Sequence, residues 1–253
     1  MNSLIILPHE CVDASSAVLL NERAQYAFGT HEVRVGDVIK VAVLGGKRGE
    51  GQVIESSPQR VVLSISLVLP ALPPKLVDLV VGLPRPQTIR KVVQAGVMFG
   101  VRSLHFVRTE LGEKSYLMST ALSPESLEEE AVKALEQIWD SRVPEIRVHR
   151  SFKHFCENRL PMLDGTQAPI KIVAHPTGQS LGGCPALGKA QEAVLAVGPE
   201  RGWSEAEVGE FLVRGFRSVG LGERVLRVEL ALTSLLGQID LLRLQGSAPH
   251  GMP

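Results

Sequence analysis

Gly198-Pro199-Glu200-Arg201-Gly202-Trp203-Ser204 and Leu221-Gly222-Glu223-Arg224-Val225-Leu226-Arg227-Val228-Glu229 are the two segments on which the fold turns. Each follows a short apolar run, Ala193 to Val197 for the first and Arg217 to Val219 for the second, and each leads into a helical pattern. A strand, a glycine turn and a helix in that order expose backbone N–H and C=O groups at the carboxyl end of the strand. Open α/β sheets bind ligands there. Ser204-Glu205-Ala206-Glu207 is a capping box, so a helix is expected to begin directly after the first turn.

Outward from these turns the chain alternates between strand and helix. Strands are expected at Leu76 to Val81, Ser103 to Arg108, Glu145 to His149 and Ile170 to Ala174. Helices are expected at Pro86 to Phe99, at Pro124 to Trp139 behind the cap Ser123, and at Ser151 to Arg159. A last helix, Val225 to Leu244, carries Leu232, Leu235, Leu236 and Ile239 on one stripe. This alternation predicts an α/β fold with a mostly parallel sheet covered by helices. Residues 1 to about 70 read instead as β-rich, with Gly45-Gly46-Lys47-Arg48-Gly49-Glu50-Gly51 as a hairpin tip; a small barrel fits. Leu69-Pro70-Ala71-Leu72-Pro73-Pro74 disfavours helix and central strand and reads as a semi-rigid hinge. The expected organisation is a small domain over 1–72, an α/β domain over 73–245 and a disordered tail over 246–253.

The bulk numbers exclude several classes. The 253 residues, 44% hydrophobic, are enough for one large or two modest domains. Cys11, Cys156 and Cys184 lie far apart, which argues against a disulfide framework or a zinc site and points to a reducing cytoplasm. The apolar run Leu4 to Leu7 has no basic residue before it and is too short for a signal peptide or a membrane span. Neither a metal nor a membrane is expected. Lys plus Arg equals Asp plus Glu at 27 each, so any nucleic-acid binding must rest on a local patch.

Two short motifs point elsewhere and are set aside. Gly183-Cys184-Pro185-Ala186-Leu187-Gly188-Lys189 approaches the phosphate-binding loop of NTPases. Ala190 stands where that loop needs Ser or Thr, and the segment leads into a strand. Gly178-Gln179-Ser180-Leu181-Gly182 matches a hydrolase nucleophile elbow, but the only later histidine is His250 in the tail. A polar loop between strands accounts for both.

The two glycine segments resemble the C-terminal signatures of the 16S ribosomal RNA uracil-N3 methyltransferases. These belong to the trefoil-knotted (SPOUT), S-adenosylmethionine-dependent RNA methyltransferases. Leu221, Gly222, Arg224, Val225, Leu226, Arg227, Glu229 and Ala231 match the pattern Leu-Gly-x-Arg-(Ile/Val)-Leu-Arg-Thr-Glu-Thr-Ala, with Val228 and Leu230 in place of both threonines. Gly198, Pro199, Glu200, Gly202 and Trp203 match Gly-Pro-Glu-Gly-Gly-(Phe/Trp), with Arg201 in place of a glycine. Upstream, Gln94, Gly100 and Val101 fit, while Ala95 and Met98 replace a lysine and a glutamate. The N-terminal residues are similar in type to the family's PUA-like barrel.

The resemblance implies a knotted methyltransferase domain that binds S-adenosylmethionine, acts on small-subunit ribosomal RNA and forms a homodimer. It implies cofactor contacts at Ala174, His175, Gly198, Pro199, Glu200, Gly202, Leu221, Gly222, Arg224 and Leu226. His175, at a strand end, also has the plainer reading of satisfying backbone groups. Uracil N3 is a poor nucleophile while protonated, so a base must take the proton or a cation must stabilise the anion as it forms. Arg227 is expected to be that cation and Glu229 the orienter or base. If position 201 required positive φ, arginine would be strained; a compatible backbone is expected, with Arg201 adding positive charge. Trp203 is expected as a hydrophobic brace ahead of the capped helix. Lys47, Arg48, Arg85, Arg90 and Arg201 are the expected RNA contacts. Two rival expectations remain: an RNA-binding or assembly factor that has lost the chemistry, and an enzyme with another target nucleotide.

Overall fold

The computed structural model describes residues 3–165, 169–183 and 192–247. The NTPase-like run beyond Gly183, Cys184 and the tail beyond Ser247 lie outside them. The chain divides into two compact units, Met1–Pro74 with Glu128–Val143, and Lys75–Leu127 with Pro144–Pro253.

The first unit holds strands β1 (Leu4–Ile6), β2 (Ser16–Leu20), β3 (Val38–Val43), β4 (Arg48–Ser56) and β5 (Arg60–Leu69), with helix α1 (Asn21–Gly29) between β2 and β3. The sheet order is β1-β3-β4-β5-β2, antiparallel except for the β1–β3 pair. A closed barrel is not what forms: among the described residues the ladder ends at β1 and β2, and no pairing joins these edges. Two register shifts between β4 and β5 bend this open sheet. Its inner face buries Leu4, Ile6, Leu19, Val41, Val53 and Leu63, and α1 adds Ala24 and Ala27. The hairpin tip is shorter than the glycines suggest, since β4 already starts at Arg48.

The expected hinge is pinned within this unit. Leu72 N–H donates to Asp140 Oδ1 at 2.9 Å, and Arg142 Nε donates to Leu72 O at 3.0 Å. The chain returns here through helix α3 (Pro124–Ile138), whose later turns belong to this unit, a return that no composition break or linker marks.

The second unit contains β6 (Lys75–Gly82), α2 (Pro86–Met98), β7 (Val101–Val107), β8 (Glu145–His149), α4 (Phe152–Asn158), β9 (Ile170–Ser180), β10 (Ala193–Val197), α5 (Glu205–Val213), β11 (Arg217–Gly220) and α6 (Val228–Ser247). All six strands are parallel in the order β11-β9-β10-β6-β7-β8. Central strands read as unbroken apolar runs because helices cover both faces. Val80, Val194 and Ala196 pack with Phe155, Phe211 and Phe216 of the segments on one side. The stripe Leu232, Leu235, Leu236 and Ile239 of α6 is at most 2% exposed, so it is consumed inside the chain.

One buried polar chain crosses this sheet. Arg102 pairs with Asp78, Ser103 Oγ donates to Asp78 Oδ1 at 2.5 Å, His105 Nε2 lies 2.9 Å from Ser103 Oγ, and His149 Nε2 lies 3.0 Å from His105 Nδ1. A carboxylate only accepts, so each N–H or O–H in the chain points toward Asp78, and His105, donating through Nε2 and accepting at Nδ1, is neutral.

Candidate functional site

Four segments meet at the carboxyl ends of β11, β9, β10 and β6 and enclose a cleft of about 690 Å³. That volume suits a nucleoside-sized ligand. The loop after β10 supplies Gly198 to Gly202, and the loop after β11 supplies Leu221, Gly222 and Arg224 to Arg227. The third wall is a bulge in β9. Ser218 pairs with Val173, the next residue Val219 pairs with Gln179, and Ala174 to Gly178 are looped out, with Ala174, His175 and Pro176 lining the cleft. The fourth wall is the start of α2, with Arg85, Gln87, Thr88 and Lys91.

Local chemistry explains these walls. At Gly220 a Cβ would lie 2.7 Å from Gly178 O and 3.2 Å from His175 O and Pro176 O, so only glycine lets β11 pass the neck of the bulge. Inside the bulge, Thr177 N–H donates to His175 Nδ1 at 3.4 Å, so His175 satisfies its own turn. Gly202 and Gly222 have φ of +73° and +97°, whereas Arg201 is not among the residues with positive φ. Arginine is therefore unstrained there, as expected. Trp203 is 6% exposed and packs edge-on against Phe211 with centroids 5.0 Å apart, which makes it the expected brace. Behind it the capping box forms as read, and Glu207 also accepts Glu110 N–H at 2.8 Å.

The carboxylates of the cleft are both engaged. Glu200 accepts the Arg85 backbone N–H at 3.2 and 3.3 Å and the Thr88 hydroxyl at 2.9 Å, so it caps α2 from outside the helix. Glu229 accepts Lys91 Nζ at 2.9 Å. The Lys91 ammonium holds the Glu229 carboxyl below the usual carboxylate range. A carboxylate in that state orients its neighbours better than it takes a proton. Arg227 is exposed, and its carbonyl accepts from Leu230 N and Ala231 N at 3.0 and 2.9 Å. The helix thus starts at Val228 and not at Val225, because no Ser, Thr, Asp or Asn caps it earlier.

All ten expected cofactor residues, Arg227, Glu229, Arg85 and Arg201 line this one cleft. Lys47, Arg48 and Arg90 do not. Lys47 is exposed on the β3–β4 turn and Arg90 is exposed on α2. Arg48 donates to Pro70 O at 2.9 Å and to Trp139 O at 3.0 Å and lies over the Trp139 ring, so it braces the first unit. The sequence does not mark Gln87 and Thr88 as walls of the cleft, and Lys91 stands out there only as part of a basic cluster with Arg85 and Arg90; for Thr88 and Lys91 the one further signal is their three-residue spacing from Arg85 on one helical face.

The apolar lining from Val197, Val219, Leu221 and Leu226, the exposed turn backbone and the guanidinium groups suit a zwitterionic nucleoside. Among the described residues no group of three or more His, Cys, Asp or Glu side chains could hold a metal. No described helix is long and apolar enough to cross a membrane.

Comparison with known proteins gives the same grouping. The RNA methyltransferase domain profile matches residues 72–240. A Treponema pallidum protein named ribosomal RNA small subunit methyltransferase E is 36% identical over 154 residues, covering 60% of this chain and 57% of that relative's length. A Borreliella burgdorferi protein, ribosomal RNA small subunit methyltransferase E 1, is 23% identical over 232 residues, covering 91% and 94% of the two chains. Among solved structures, the Neisseria gonorrhoeae methyltransferase E bound to S-adenosyl methionine superimposes with a TM-score of 0.75 at 19% identity, covering 95% of this chain and 98% of that one. That likeness concerns the fold.

Proposed function

The chain belongs to the RNA methyltransferase domain family, and from that membership we propose that it transfers a methyl group from S-adenosylmethionine to N3 of a uridine in small-subunit (16S) ribosomal RNA. One observation carries the reading: two glycine loops, a strand bulge and a helix N-terminus, distant in sequence, converge on one cleft that holds every expected cofactor residue.

When bound, S-adenosylmethionine supplies an electrophilic methyl and needs no metal. The chain's own part is positioning and electrostatics. Backbone groups at Gly198, Gly202, Leu221 and Gly222 would hold the nucleoside, with Leu221 and Leu226 supplying apolar lining. Glu200 fixes the Gly198–Gly202 loop to α2. Arg227 would stabilise the uracil as its N3 proton passes to solvent water in the open cleft and negative charge spreads over N3, O2 and O4. Glu229, committed to Lys91, sets the start of α6 and thereby the position of Arg227.

A trefoil knot belongs to this reading; the tight passage of Gly220 under the β9 bulge supports it. So does a homodimer, supported by Leu230, Leu241 and Leu244, which stay at least 50% exposed on α6. Residues 1–72, with the exposed Lys47, would add affinity for ribosomal RNA in the cytoplasm.

Calorimetry with S-adenosylmethionine and mass spectrometry of small-subunit ribosomal RNA incubated with the protein test the proposal. Cofactor binding with a new methyluridine is expected, and Arg227→Ala should lower the rate at least a hundredfold. RNA binding without methyl transfer would instead identify an assembly factor.

A further inference from the structure

The acids and bases of the cleft are unequally employed. Glu200 and Glu229 are both engaged, as described, while the side chains of Arg85, Arg201, Arg224 and Arg227 line the same cleft without a hydrogen-bonded or ion-paired partner among the described residues. Several guanidinium groups elsewhere are held: Arg23 by Glu10, Arg102 by Asp78 and Glu192, Arg159 by Glu145, Arg214 by Glu210. An amino-acid carboxylate at the cleft would occupy one or two of the four. The others call for a second anion.

Arg85 and Arg201 are the pair built for it. Glu200 grips the Arg85 backbone N–H, and Arg201 is the next residue after Glu200, so the two guanidinium stems leave backbone held together by that bond. Both side chains are exposed. The carboxylate between their roots is directed at α2 and the Thr88 hydroxyl and is ion-paired to neither guanidinium. Arg201 sits in a backbone conformation that accepts arginine without strain.

We infer that Arg85 and Arg201 form a two-guanidinium clamp for a phosphodiester of the RNA strand that presents its base to the cleft. Guanidinium forks match phosphate oxygens in number and geometry. The inference rests on the RNA methyltransferase reading and names the contact that fixes the register of the strand.

The test uses the full-length protein and isolated small-subunit ribosomal RNA in filter binding between 50 and 300 mM salt. Arg85→Ala, Arg201→Gly, Arg201→Lys and the double variant Arg85→Ala with Arg201→Gly are compared, and cofactor binding is measured on each by calorimetry. Each single loss of charge should weaken RNA binding about tenfold, and the double variant should flatten the salt slope by about one. Arg201→Lys should recover part of the loss and the salt slope. Cofactor affinity should stay within twofold throughout. Unchanged RNA affinity in the double variant would overturn the clamp. So would a parallel fall in cofactor affinity, which would make the pair a carboxylate site. Failure of the unmodified protein to bind RNA or cofactor would overturn the methyltransferase reading itself.

Discussion

Glu200→Ala separates two roles that one cleft position could have. The carboxylate accepts two backbone-side contacts at Arg85 and one from the Thr88 hydroxyl, all at the first turn of α2. Losing a cap of this kind costs about 1 kcal/mol, and losing a negative charge at a helix N-terminus adds about 0.5 kcal/mol. The helix itself stays formed, because Ile89, Val92 and Val93 are fully buried beneath it. The expected effect is therefore a loss of about 1.5 kcal/mol, seen as a fall of about 4 °C in Tm by scanning fluorimetry. If the loop Gly198–Gly202 must be latched to receive the cofactor, affinity falls by no more than the latch is worth, about tenfold. Glu200→Gln keeps one acceptor oxygen and should lose about half of this. Thr88→Val combined with Glu200→Ala should be less than additive, since both break one contact. A hundredfold loss of cofactor affinity with Tm unchanged would refute the reasoning, because the carboxylate would then be touching the cofactor and not the helix.

Other outcomes follow from the same structure. Burial pushes His105 down to about 4, and burial with the nearby Arg159 pushes His149 to about 4. The unfolded chain binds these protons near pH 6.5 and the folded chain does not, so stability is full above pH 6.5 and falls as pH drops toward 4. For His105 alone the loss at pH 5 is about 2 kcal/mol. Urea unfolding at pH 7 and pH 5 measures it, and His105→Asn should flatten the dependence; a flat profile in the unmodified protein would contradict neutral imidazoles. Glu229→Gln should keep methyl transfer within about tenfold, with no shift in the pH–rate profile, whereas a hundredfold loss would restore Glu229 as the base. Gly220→Val drives a side chain into the β9 bulge and should cost about 2 kcal/mol together with cofactor binding; a variant with the Tm of the unmodified protein would show that the neck is not tight.

The sheet of the second unit was legible because its strands are short apolar runs bounded by turns. Glu145–His149 and Ala193–Val197 have the limits read from the sequence. β9 extends past the expected end at Ala174, because Pro176 and Gly178, which look like strand breakers, form the bulge and pairing with β11 resumes at Gln179. Helix α1 escaped the reading since its buried face consists of Ala24 and Ala27, too small an apolar stripe to show a period. The expected barrel is an open sheet because strand propensity does not fix whether two edges meet. In the cleft, the glycine loops announced themselves by turn chemistry. The α2 wall did not, since Thr88 and Lys91 acquire their meaning from Glu200 and Glu229, more than a hundred residues away.

The neutral total charge is a poor guide to this molecule for a physical reason. Seven acids, Glu10, Asp78, Glu130, Glu136, Asp140, Glu192 and Glu207, are buried among the described residues, and no lysine or arginine is. Carboxylates accept backbone N–H groups, so they can be spent inside the scaffold; long cationic side chains keep their heads in water. Glu10, Asp78, Glu130 and Glu192 neutralise Arg23, Arg102 and Lys133, which reach in from the surface. Glu207 and Asp140 are instead satisfied by backbone N–H groups of Glu110, Ser204, Leu72 and Ser141, and Glu136 by Ile5 N–H and the Tyr26 hydroxyl. Each acid satisfied by neutral donors leaves a cation elsewhere without its counter-charge. The unpaired arginines of the cleft are one place where that surplus surfaces, and a polyanion needs only that local surplus, not a basic protein.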